Sequence, residues 1–117
     1  MPKIRDVLSA DKLNACVVDF HSKMLMLRLI NSGKTYSADK RSNFVREAFV
    51  VAHVILKDAY YKKDINLFNQ IYAETHELVK GPYVTPEMEK IQNNFYADTQ
   101  KWVKGIADYL ASRGWVR

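Results

Sequence analysis

Three histidines and a single cysteine are the side chains of this 117-residue sequence best suited to metal binding or nucleophilic catalysis. Two metal ligands on one helical face stand three or four residues apart. None of His21, His53 and His76 has a histidine or cysteine at that spacing, and the Glu-x-x-His pair of di-iron bundles is missing. The nearest candidate is His76, between Glu74 and Glu77, with a carboxylate reaching across from another element. Cys16 and His21 are five residues apart on one predicted helix and so point to different sides. Cys16 lies among Ala15, Val17 and Val18, which predicts a thiol behaving as a small apolar group. No serine stands in a Gly-x-Ser-x-Gly setting. The expectation is a protein that is not an enzyme, with no metal and no cofactor.

Gly33-Lys34-Thr35 looks like the end of a phosphate-binding loop. The full pattern needs a glycine five residues earlier, where this chain has Arg28, and a strand before it, where this chain predicts a helix. Nucleotide binding through this motif is excluded.

Charge and aromatic content point to binding instead. The net charge is +5, and residues 32–63 alone carry seven basic and three acidic side chains. Such an excess attracts phosphates or an acidic protein surface. Lys34, Lys40, Arg41, Arg46, Lys57, Lys62 and Lys63 supply it, with Tyr36 and Tyr61 among the interleaved aromatics. These residues form the expected binding surface, for a protein partner with an acidic surface in the leading reading. Seven tyrosines and two tryptophans suit such a role, because these residues are enriched at binding hot spots. The alternative is a nucleic-acid-binding accessory protein using the same basic 34–63 region, with the aromatics stacking on bases. Lys40 and Lys62 lie at opposite ends of one helix, roughly 33 Å apart at 1.5 Å per residue, so the charges need not form one patch.

The elements that must position these residues are helical. Phe44 to Tyr61 reads as one helix, apolar at almost every position from Ala48 to Leu56. A helix apolar all round must be covered by others on most sides, so a central apolar helix at about 43–62 is expected. Val45, Ala48, Phe49, Ala52, Ile55, Leu56 and Ala59 form its main stripe, and Val50, Val51 and Val54 widen it. Before it, a helix from Ser9 to Asn31 carries a seam of Ala10, Leu13, Val17, Phe20, Met24, Leu27 and Asn31 at alternating spacings of three and four. Val18, Leu25, Leu29 and Ile30 lie off that seam, so its second half is apolar on more than one face. That half is expected to be buried between two neighbours of the same chain; otherwise it meets a second copy through Met24, Leu25 and Leu29, giving a homodimer.

A third helix is predicted over 65–80, capped by Asp64 and stopped by Gly81-Pro82. A fourth starts at Thr85-Pro86 with Glu87 and Glu89 in its first turn, and ends at Gly114. Its stripe is Met88, Ile91, Phe95, Trp102, Ile106 and Leu110, interrupted by Gly105, which marks a close helix crossing or a tolerated glycine. The short turn at 62–64 makes helices two and three an antiparallel hairpin. With Ala59, Tyr60 and Tyr72 this hairpin resembles a tetratricopeptide unit, but that family repeats about every 34 residues and no second copy occurs, so the family is not assigned. The sequence thus predicts an all-α, compact bundle of four main helices, one domain over residues 1–117. The segment MPKIRDVLSADK lacks the apolar core of a signal peptide, and no stretch reaches the ~20 apolar residues of a spanning helix. With one cysteine and no disulfide, a cytoplasmic location and no membrane partner are expected.

Overall fold

The computed structural model describes residues 8–33 and 36–112, with side chains described as far as Gly105. The chain is an all-α bundle of four helices: α1 (Ala10–Asn31), α2 (Ala38–Tyr61), α3 (Ile65–Thr75) and α4 (Pro86–Ser112). Short polar side chains start each one. Ser9 accepts from the amide of Lys12 at 3.3 Å, Ser37 from Lys40 at 3.2 Å, Asp64 from Leu67 at 3.1 Å and Thr85 from Met88 at 3.3 Å. The stop of α2 is a Schellman turn. The Asp64 amide reaches back to the Ala59 carbonyl at 2.8 Å and that of Lys63 to Tyr60 at 3.2 Å. Lys63, at φ 61°, fills the left-handed position that glycine usually holds.

α3 is shorter than the 65–80 expected from the sequence, ending at Thr75. The amides of His76, Glu77 and Leu78 turn to the carbonyls three residues back, tightening the chain out of α geometry. The reason is tertiary. Leu78 and Val79 are both buried, beyond the last α-helical residue of α3. Buried Asn31 also claims the Leu78 carbonyl, donating from Nδ2 at 3.1 Å.

α2 is central, as its apolar sequence requires. Each of the other three helices packs on it, whereas α1 and α4 make no backbone approach to each other. Val45, Ala48, Ala52, Ile55, Leu56 and Ala59 of α2 are wholly buried. α1 and α3 run antiparallel to α2. α4 runs alongside it in the same direction, since Arg46 meets Glu87, Phe49 meets Phe95 and Tyr60 meets Trp102. Side chains close α3 onto its neighbours: His21 Nε2 meets Glu74 at 2.7 Å, and Tyr72 lies edge-on to Tyr96 at 5.4 Å. The body measures 51 × 28 × 20 Å. With a helix about 10 Å across, that is two helices thick.

One sequence expectation is met here and another changes. α2 is covered on three sides, and on the fourth Val50 is 63% exposed and Val54 37%. The second apolar face of α1 is not buried between two neighbours. Its inner seam of Phe20, Met24, Leu27 and Asn31 faces the core, while Val18, Leu25 and Leu29 point outward at 66%, 59% and 76% exposure. Met24, expected at a self-association surface, is 8% exposed and belongs to the core.

Gly105 is a tolerated glycine, because a Cβ built there meets nothing within 4 Å. Gly105→Ala should therefore raise stability by about 1 kcal/mol through helix propensity alone, read as a higher urea midpoint at unchanged slope. The side chains of Ile106 and Leu110, and the stop at Gly114 with Trp115 beyond it, lie outside the described residues. Among the described residues no helix is long and apolar enough to cross a membrane.

Candidate partner-binding groove

The uncovered side of α2 forms an apolar surface shared with α4. Because α4 lies beside α2 rather than over it, a groove of about 420 Å³ runs between them. Phe49, Val50 and Val54 from α2 and Ile91 and Phe95 from α4 line it. Phe49 and Phe95 pack with ring centroids 4.6 Å apart, which fixes the spacing of the two helices at that point. Arg46 and His53 stand on the α2 side, Asn94 and Asp98 on the α4 side. A second depression on the other side of α2 is lined by Asp19 and Lys23 of α1 and again by Arg46 and Val50. Val50 is thus the ridge between two hollows.

The electrostatics of the rims differ. Arg46 pairs with Glu87 at 2.9 Å and also reaches Asn43 at 3.2 Å, both in solvent. Burial holds the pKa of His53 below its ordinary value, helped by nearby Lys57 and opposed by Asp98. At neutral pH the imidazole is therefore uncharged, edge-on to Trp102 at 5.3 Å. The α2 rim carries Arg46, with Lys57 one turn beyond His53, and the α4 rim carries Asp98, with Glu87 one turn before Ile91.

The structure separates the residues singled out in the sequence. Arg41 and Tyr61, expected in the binding surface, are 7% and 6% exposed and so are buried in the fold. Arg41 points inward, where its guanidinium donates to the carbonyls of Gly33 at 2.8 Å and Tyr83 at 3.2 Å and lies over the Tyr83 ring. Its charge serves the loop junction. Lys62 is held by buried Asp58 at 2.9 Å and by the Leu8 carbonyl at 2.8 Å. Lys40 is exposed and lies with Tyr36, Phe44 and Glu47 around a small hollow at the start of α2. Tyr36 meets Phe44 edge-on at 5.9 Å. Lys57 is half-buried one turn beyond His53, and Lys63 is exposed at the opposite end from Lys40. Lys34 lies outside the described residues. Among the described residues this set does not assemble one basic patch: Arg46 lines the groove, Lys40 and Lys63 lie at opposite ends of α2, and Arg41 and Lys62 are held by contacts within the fold.

Known protein families, curated proteins and solved structures give no match to this chain. The groove geometry is left to carry the functional reading. Among the described residues, no three His, Cys, Asp or Glu side chains come together in a way that could hold a metal ion. The groove residues Phe49, Val50, Ile91, Phe95 and Asp98 were not legible as a site from sequence. Their one signal was the excess width of the α2 stripe at Val50 and Val54, which reads equally as core.

Proposed function

We propose that this protein is a small non-catalytic binding domain that regulates, inhibits or adapts a larger protein by seating one of its amphipathic helices in the α2/α4 groove. The observation that carries this reading is Val50. It is a large apolar side chain 63% exposed at the middle of the central helix, beside a groove of aliphatic and aromatic side chains. From Arg46 to Lys57 the α2 edge runs about 16 Å, or three helical turns. That length accepts anchors at i, i+3 or i+4, and i+7 of a partner helix. The rims define its charges: acidic residues along the edge facing Arg46 and Lys57, basic ones along the edge facing Glu87 and Asp98. The acidic edge retains the sequence expectation of an acidic partner surface, now confined to one rim. Apolar anchors supply affinity and the rims set orientation.

The test uses labelled amphipathic helical peptides with this charge arrangement, with both edges swapped as a control. Binding is followed by anisotropy and by amide chemical shifts. The expected result is saturable binding that perturbs Val50, Ile91 and Asp98 and weakens when the edges are swapped. Val50→Glu should weaken it at least tenfold, about 1.4 kcal/mol, with helix content unchanged because the side chain is already exposed. Failure of every peptide to shift groove resonances would overturn the reading. Saturable binding of duplex or single-stranded nucleic acid at near-physiological salt, centred on Lys40 or Lys63, would replace it with the nucleic-acid alternative.

A further inference from the structure

The outer face of α1 is a second surface, independent of the groove. Val18, Ser22, Leu25 and Leu29 follow one another at spacings of four, three and four. This is the alternation that lets one helix pack along another. The strip lies on the opposite side of α1 from Phe20, Met24, Leu27 and Asn31, which the core already uses. Val18, Leu25 and Leu29 are more than half exposed, and Met26 beside them is 46% exposed. With apolar residues on both faces, the charged residues of α1 are left to its flanks, Asp19 and Lys23 on one and Arg28 on the other.

We propose that this strip pairs two copies of the chain, antiparallel, about a twofold axis near Ser22 to Leu25. In that register Val18 of one copy lies opposite Leu29 of the other, and Leu25 opposite Ser22, whose small side chain lets the helices approach. A parallel pairing would instead set serine against serine at the centre. Charge favours the same orientation. Arg28 is exposed and forms no ion pair among the described residues. It lies on the same flank of the strip as His21, whose ring holds the Glu74 carboxylate of α3 at 2.7 Å. The antiparallel register brings Arg28 of each copy towards the His21–Glu74 pair of the other, so a cation meets a carboxylate twice. The strip from Val18 to Leu29 is about 16 Å long. Two such strips with their flanks give an interface at the small end of specific contacts, on the order of 1,000 Å² in total. The dimer is accordingly a weak one that forms with rising concentration.

Sedimentation velocity on the full chain from about 1 µM to about 1 mM, spanning the affinities such an interface supports, tests this. The expected result is a monomer–dimer equilibrium within that range. The double variant Leu25→Glu, Leu29→Glu should remain monomeric throughout with wild-type helix content, since both side chains are exposed in the monomer. Arg28→Glu should raise the dissociation constant several-fold by placing a carboxylate against Glu74. Val50→Glu should leave the equilibrium unchanged, which separates this surface from the groove. A wild-type chain monomeric at the highest concentration, or a dimer that survives the double substitution, would overturn the proposal.

Discussion

Replacing Gly81 by alanine should cost about 3 kcal/mol, the sum of a backbone term of about 1–3 kcal/mol and a steric one. Gly81 has φ +129°, a region closed to side chains. A Cβ there would stand 2.7 Å from the backbone oxygen of Asn31 and 3.1 Å from its carbonyl carbon. That obstacle is backbone, so no rotamer change relieves it. Asn31 also cannot step aside cheaply. Its carbonyl accepts the Tyr83 amide at 3.2 Å, and its side chain holds the Leu78 carbonyl from a fully buried position. For a domain of this size the loss corresponds to a fall in melting temperature of roughly 10 °C. Thermal unfolding followed by circular dichroism measures it. Gly105→Ala is the internal control, with the opposite sign. A fall of less than about 2 °C, under 1 kcal/mol on the same scale, would show that the 31–83 junction yields easily.

The second large effect is expected at Asp58, which is fully buried in α2. One carboxylate oxygen accepts the Leu8 amide and the other pairs with Lys62 at 2.9 Å. Lys62 in turn donates to the Leu8 carbonyl. Both backbone polar groups of Leu8 are thereby satisfied by one pair of side chains a helical turn apart, which ties the segment before α1 to the end of α2. Asp58→Ala leaves the amide and the ammonium without their partner. Breaking a buried pair in this way costs about 3–5 kcal/mol, and the partial exposure of Lys62 places the expected value at about 3. Asp58→Asn keeps an acceptor for Leu8 and should lose roughly half as much, the remaining hydrogen bond being worth about 1 kcal/mol. Urea unfolding of both variants checks the ranking. Equal losses would mean that charge alone, and not the bond to Leu8, holds the junction.

Much of this fold was legible because its signals are local. Ser9, Asp64 and Thr85 each cap the helix that they precede in sequence. The inner seam of α1 and the central place of α2 follow from residue spacing. What escaped is non-local. The end of α3 depends on an asparagine 47 positions before Leu78. Arg41 counts as surface charge in a sequence, yet the Tyr83 carbonyl 42 positions later draws it inside. The groove escaped for a topological reason. Val50 and Val54 have the composition of core residues, and only the placement of α4 beside α2 leaves them open. The strip on α1 was half legible: Leu25 and Leu29 stand where the surplus apolar pattern put them, while Met24 was claimed by the core.

Ala48, Ala52 and Ala59, wholly buried along α2, have a consequence for how this chain tolerates change. Three helices rest on a central rod whose contact points include side chains of one carbon each. The axes can then approach towards the near end of the 8–10 Å range for packed helices. Enlarging a buried leucine site by one carbon strains a few rotamers. Enlarging one of these alanines displaces a whole helix, and with it the groove or the α1 strip that the helix positions. The side chains least free to grow are therefore among the smallest in the protein, and the geometry of both outer surfaces is set by methyl groups that neither surface exposes.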